Sequence, residues 1–400
     1  MTSLNTQFDL IPQSATVAMA DRVVSLQAQG RKIIGLQTGD PDFATPAAVI
    51  DAALRAMQNG ATHYGPSRGT LELRKAVAAK IASVSAASYN PENEILVTHG
   101  SIHAYYCAMQ AILNPGEDVL IPDPSWATHA NMIGMLRGGA IRVAAPAENG
   151  FIPPLEAWER ALTPQTRAIM LNWPSNPTGA IAPREYMLEL ANFAIRHDLW
   201  LIGDEVYDHL VYDGAKHTSV SALPGMKERT LLLNSLSKTY AMTGWRVGYL
   251  AAPERVIEHA LKASQNSITC VAPFIQKAAA FALTDPGVQQ DVAEMVKAYT
   301  KRRALVLQLA REHGPSPIKI VPPDGAFYYF MDMRSLGISS LEICERLLEE
   351  ASVALVPGSA FGEQGEGFVR MVFTASEADI EAGFTKILNW AGAFHGTRNT

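Results

Sequence analysis

The chain is poor in cysteine. Cys107, Cys270 and Cys344 are its only three; they lie far apart and form no CxxC pair and no metal-ligand spacing with histidine. They read as buried small apolar residues, and no metal site is expected. No apolar run approaches the roughly 18 residues of a membrane span. The N-terminal stretch "MTSLNTQFDLIPQSATVAMADR" has no basic region leading into an apolar core. A signal peptide is therefore not expected, and the cytoplasm is the default location. Positive charge is not in excess: 33 Lys and Arg stand against 39 Asp and Glu, and the basic residues are scattered. That disfavours nucleic acid and anionic membranes as partners. Repeats, low-complexity tracts and long linkers are missing. So are the phosphate-binding signatures GxxxxGK[ST] and GxGxxG.

What the sequence does hold is apolar residue, 48% of a 400-residue chain. That is enough for two or three domains with a large core. The middle of the chain alternates short apolar runs with amphipathic stretches. "EILVTHG" (94–100), "DVLIPD" (118–123), "AIMLNW" (168–173), "LWLIGDE" (199–205), "TLLLNS" (230–235) and "VGYLAA" (247–252) read as strands buried on both faces. Residues 101–113 and 183–198 read as helices between them. The alternation predicts an α/β fold: a three-layer α/β/α large domain around a mostly parallel sheet. Beyond a long helix around 282–313, the mix of "GAFYYFMDM", "SLEICERLLEEASVALVPG" and "GFVRMVF" predicts a smaller α+β domain. The N-terminal arm is expected to join it, giving a large domain over 46–290 and a discontinuous small one over 1–45 and 291–400.

In an open α/β sheet, ligands bind at the carboxyl ends of the strands. The polar residues of this half of the chain fall at that edge. Gly100-Ser101 follows the first strand and Trp126 the second. "NWPSNPTG", with Asn176, follows the third. Asp204 and Tyr207 end the fourth, and Ser235, Ser237 and Lys238 end the fifth. Ser101 opens a helix, where free N–H groups suit an anion, although a serine there also serves as a plain cap. Ser235, Ser237 and Arg246 add donors suited to a phosphate ester. Asp204, at a buried strand end, needs a partner and can hold a proton on a ligand nitrogen. Tyr207 and Asn176 reach the same ligand, and Trp126 offers a face for a ring. Lys238, if buried, has a lowered pKa and is a nucleophile toward carbonyls. Together these needs describe pyridoxal phosphate.

The same residues carry a resemblance. "PQSATVA", "GDPDFATP", "THYGPSRGTLELRKAVA", "NWPSNPTGA", "DEVYDHLVY", "SLSKTYAMTGWRVGY", "PDGAFYYF" and "VALVPGSAFG…GFVRMVF" occur in this order through nearly the whole chain. Jointly they resemble the class I/II aminotransferases among the fold-type I pyridoxal-phosphate enzymes, most of all the bacterial aspartate aminotransferase branch. The resemblance implies a ping-pong exchange of an amino group between an L-amino acid and a 2-oxo acid. It implies Lys238 as the Schiff-base lysine, Asp204 as partner of the pyridinium nitrogen, and Tyr207 and Asn176 as donors to the phenolic oxygen. Trp126 resembles the stacked residue. Ser101, the N–H of Ile102, Ser235 and Arg246 resemble the phosphate cup. Tyr64 resembles the tyrosine that crosses a homodimer interface to the other subunit's phosphate. Arg370 resembles the clamp on the substrate α-carboxylate, with the backbone of Gly39 beside it.

The donor stays open. The aspartate branch often has Lys or Thr where this chain has Ile102, which cannot hold a distal carboxylate. Neutral, aromatic and dicarboxylic donors are all compatible. His103 is expected to point away and pack between helices. A β-lyase or another pyridoxal-phosphate enzyme on the same fold is the alternative. A regulator's effector domain would need a basic winged-helix segment, and the chain is expected to go straight into its arm.

Overall fold

The computed structural model describes residues 4–13, 15–85 and 87–398. Its centre is a seven-stranded sheet. In chain order the strands are β1 (Ile95–Thr98), β2 (Asp118–Asp123), β3 (Gly139–Ala144), β4 (Thr166–Asn172), β5 (Trp200–Asp204), β6 (Thr230–Ser235) and β7 (Gly248–Ala251). They lie side by side as β1-β7-β6-β5-β4-β2-β3. β7 is antiparallel to both its neighbours, and the remaining ladders are parallel.

The strands feed two apolar layers because successive side chains point to opposite faces. Ala168, Met170 and Ile202 pack with Ala104, Tyr105 and Ile257 on one face. Ile169, Leu171 and Leu201 pack with Trp158, Leu190 and Phe193 on the other. A strand covered on both sides has no polar face, which is why these segments read as unbroken apolar runs. β3 departs from that pattern. It is one of the two edge strands, carries Arg142 and is only partly buried. The sequence reading of six strands missed it for that reason.

A third cluster unites the two ends of the chain. Met19, Val23 and Leu26 of the helix Ala15–Ala28 pack with Phe327, Phe373, Ile380 and Phe384. The two-residue strand Ile34–Gly35 pairs with Val353–Ala354. Beside them β8 (Tyr328–Asp332), β9 (Val356–Pro357) and β10 (Phe368–Val372) form an antiparallel sheet in the order β9-β10-β8. The long helix is Pro286–His313, started by Asp285, whose side chain accepts from the Val288 N–H. Cys107 and Cys344 are buried, but Cys270 is only half-buried, in the turn between two helices. The expectation of three buried cysteines is corrected there.

Candidate active site

The carboxyl ends of β1, β2, β4, β5 and β6 open into a cleft of about 330 Å³. Its other wall comes from Thr16, Thr38, Gly39 and Asp40 of the N-terminal part and from Tyr328 and Arg370 of the small sheet. A concave site between layers, with few and convergent polar groups, is the usual setting for a small ligand.

One end is built for an anion. The helix Gly100–Ile112 begins directly after β1, and its N-cap residue, His99, makes no side-chain cap bond. Its first N–H groups therefore lack a protein acceptor and face the cleft. Ser101 stands inside the helix rather than at its cap, so the plain capping reading of Ser101 is set aside. Gly100 has φ +76°, and a Cβ there would come within 2.8 Å of Arg246 Nη2. Arg246 is steered by two carbonyls: Nη1 donates to Thr243 O at 2.8 Å and Nη2 to His99 O at 3.5 Å. Ser235 Oγ accepts from the Ser237 N–H at 3.3 Å. Beneath them, Asn234 braces the turn: its Oδ1 accepts from Ser235 N at 2.7 Å, and its Nδ2 donates to Glu205 O and Asp208 Oδ2. Asp208 is paired in turn with buried Lys80 at 2.6 Å.

At the middle of the edge, Asp204 is buried at the end of β5. Its Oδ1 accepts from the Val206 N–H at 3.3 Å, and its Oδ2 lies 3.3 Å from His129 Nε2. Trp126 sits one residue before the helix Ala127–Met135, edge-on to His129 with ring centres 5.2 Å apart. Asn176 is buried, and its N–H is held by Asn172 Oδ1 at 3.0 Å.

Lys238 and Arg370 lie on the side of the small sheet. Lys238 Nζ donates to Gly39 O at 2.6 Å. Desolvation pulls its pKa down from 10.5 to about 8; Arg370 and Arg246 add to this, while Asp40 opposes it. Arg370 is 2% exposed, in the middle of β10. Its Nη1 donates to Asn176 Oδ1 at 2.9 Å and its Nη2 to Gln37 O at 2.7 Å, while its buried Nε has no acceptor. Burial lowers its pKa from the ordinary arginine value. Among the described residues, no carboxylate lies within ion-pair distance of Lys238, Arg246 or Arg370. Tyr207 is buried with its hydroxyl 2.6 Å from that of Tyr328, and burial followed by Tyr328 holds its pKa well above the tyrosine value.

Ser101, Ile102, Trp126, Asn176, Asp204, Tyr207, Ser235, Ser237, Lys238, Arg246, Gly39 and Arg370 thus all line one cleft. Tyr64 does not. It is 87% exposed, next to Gly65, where an added Cβ would meet Pro273. His103 turns away from the cleft, its Nε2 lying 3.0 Å from Ser267 Oγ on the adjacent helix. The sequence reading missed His129 and Tyr328. The first sits one helical turn beyond Trp126, a spacing that puts both on one side. The second lies inside "PDGAFYYF", where nothing singled it out.

A family profile described as aminotransferase class I and II matches residues 31–387. The chain is 42% identical to aromatic-amino-acid aminotransferase 2 of Thermococcus litoralis over 355 residues, covering 88% of this chain and 90% of that one. It is 40% identical to the aspartate aminotransferase of Pyrococcus abyssi over 379 residues, covering 95% and 96%. Its fold is similar to that of the aspartate aminotransferase from Thermus thermophilus with maleate: TM-score 0.92, 37% identity, covering 97% of this chain and 100% of that one.

Proposed function

The chain belongs to the class I and II aminotransferases, and within that family we propose how its cleft residues divide the work and which donor they admit. It is a pyridoxal-phosphate-dependent enzyme that moves an amino group between an amino acid and a 2-oxo acid. Its residues fit that cofactor. Three cations without counter-anions line the cleft, Arg370 keeps a buried Nε without an acceptor, and Gly100 leaves no room for a Cβ beside Arg246. Those unpaired cations carry the reading. They call for a phosphate at one end and a substrate carboxylate at the other.

Bound there, pyridoxal phosphate supplies an electron sink for the pair left when a Cα–H bond ionises. Arg246, Ser235 and the N–H groups of Ser101 and Ile102 would grip the phosphate, with Ser237 beside them. Trp126 would cover a face of the ring. Asp204, held in place by His129 and the Val206 N–H, would keep a proton on the ring nitrogen. Tyr207 would donate to the phenolic oxygen. So would the side-chain amide of Asn176, whose Oδ1 is taken by Arg370. Arg370 binds the α-carboxylate bidentately beside Gly39. Lys238, whose pKa burial lowers to about 8, would hold the aldehyde end and is placed to move a proton at Cα.

All three cations of the cleft are then committed, and Ile102 stands at its rim. We propose a neutral or aromatic amino acid as the preferred donor. We also propose a homodimer in which exposed Tyr64 reaches the partner's phosphate, with exposed Ile50, Leu54 and Met57 as candidates for the contact. We propose a division into a large domain over 46–290 and a small one over 1–45 and 291–400; the packing of the two chain ends in one cluster supports it. Three free thiols suit a cytoplasmic setting; among the described residues, no helix is long and apolar enough to cross a membrane.

The test is a half-reaction screen. The yellow holoenzyme is mixed with single amino acids, and its visible absorbance is followed. Neutral and aromatic donors should bleach it fastest, and Lys238→Ala should abolish both the colour and turnover. An active Lys238→Ala protein would sink the assignment. Sedimentation equilibrium tests the dimer.

A further inference from the structure

Tyr328 touches more of the cleft than its place in a buried strand suggests. It is 1% exposed, at the start of β8. Its hydroxyl lies 2.6 Å from the Tyr207 hydroxyl. The Arg370 guanidinium sits 4.7 Å from the centre of its ring. A Cβ on Gly39 would come within 2.5 Å of its hydroxyl oxygen, so Gly39 and Tyr328 fit only as a pair. The same Gly39 carbonyl accepts from Lys238 Nζ. One side chain therefore meets the carboxylate-binding arginine, the tyrosine assigned to the phenolic oxygen, and the backbone that holds the lysine.

A tyrosine hydroxyl has one hydrogen. If Tyr207 gives its hydrogen to the phenolic oxygen, the bond between the two tyrosines must run from Tyr328 to Tyr207. Such a chain polarises each bond in turn and strengthens the last donor. We propose that Tyr328 is a positioning residue with two separable functions: its hydroxyl orients and strengthens Tyr207 as the donor to the cofactor's phenolic oxygen, and its ring holds the Arg370 guanidinium for the substrate carboxylate. The inference rests on the role given to Tyr207 above. The charged groups facing the pair are Asp204, Asp40 and Arg370, with Lys238 held on the Gly39 carbonyl nearby. All are retained in the variants below.

The separation gives the experiment. Tyr328→Phe removes the hydroxyl and keeps the ring. Tyr328→Leu removes both. The readouts are the pH midpoint of the holoenzyme's visible absorbance, without substrate, and the kcat and KM of the amino-acid half-reaction. Loss of a donor to the phenolic oxygen favours the protonated chromophore, so the midpoint should rise. For Tyr328→Phe the rise should be about half a pH unit, a threefold change in the equilibrium, with KM unchanged. Tyr328→Leu should show the same rise together with a KM raised about tenfold, from loss of the stacked ring. Tyr207→Phe should raise the midpoint further, and adding Tyr328→Phe to it should change nothing more. If Tyr207→Phe leaves the midpoint in place, the Tyr207 assignment itself fails. If Tyr207→Phe moves it and Tyr328→Phe does not, or if the two shifts add, the Tyr328 inference fails alone. A Tyr328→Leu protein with unchanged KM removes the ring's part.

Discussion

Asp204 Oδ2 lies 3.3 Å from His129 Nε2, and both side chains are buried. With the imidazole as donor and the Val206 N–H on the other oxygen, the carboxylate is fixed in direction. Asp204→Ala should therefore lower kcat/KM of the half-reaction by about three orders of magnitude, as loss of a preorganised charge does. His129→Leu leaves the carboxylate but frees its orientation, and should cost about tenfold. Stopped-flow rates at saturating cofactor measure both. Equal losses for the two variants would mean that His129 does more than hold Asp204.

Arg246 reaches the anion end with its guanidinium already directed by Thr243 O and His99 O. Arg246→Gln should weaken cofactor binding about a hundredfold, the worth of one to two charge-assisted bonds. Arg246→Lys should recover only part of that, since an ammonium cannot make the bidentate contact. Absorbance titration of the apoenzyme with pyridoxal phosphate gives the three dissociation constants.

These residues were legible in sequence because the fold lines them up. A strand buried on both faces is mostly apolar, and the polar residues at and just beyond its carboxyl end mark the edge. Asp204 after "LWLIG" and Lys238 after "TLLLNSLS" stand out for that reason. The edge strand Gly139–Ala144 was not legible, since half-burial and Arg142 break its apolar run. Tyr328 was hidden in the opposite way. In the run "AFYYF" every residue is buried, and neither periodicity nor charge says which ring faces a ligand. Tyr64 was legible only through the resemblance: it is 87% exposed on its own chain, and the role proposed for it lies in a partner's site.

Lys238 makes a pH-dependent contribution to the stability of the apoenzyme. Burial lowers its pKa from 10.5 to about 8. Below pH 8 the amine is charged both folded and unfolded, and the folded state carries the full cost of burying it. Between about pH 8 and 10.5 the folded chain has released the proton and the unfolded chain has not, so this contribution rises with pH. Lys238→Met should stabilise the apoenzyme at pH 7, by at most about 3 kcal/mol and by less for an amine that solvent partly reaches. The gain should shrink as pH rises from 8 toward 10.5. Urea denaturation of both apoproteins at pH 7 and 9.5 checks the sign. A variant less stable than the parent at pH 7 would contradict it.

Ile102 decides the donor if the cleft's own cations are committed as proposed. It is 40% exposed, lies in the first turn of the helix Gly100–Ile112 and lines the cleft. Ile102→Lys places an ammonium at the rim, at a small cost for a cation near a helix N-terminus. One charge-assisted hydrogen bond to a distal carboxylate is worth about 1.5–3 kcal/mol, or roughly 10- to 100-fold. The ratio of aspartate to phenylalanine half-reaction rates should rise by at least about tenfold, through the aspartate rate, with the phenylalanine rate little changed. If the parent enzyme already reacts fastest with aspartate and the variant does not alter the ratio, the distal carboxylate is read elsewhere. The surface that Tyr64 is proposed to share with a second subunit would then be the place to look, by repeating the aspartate assay on a variant held monomeric.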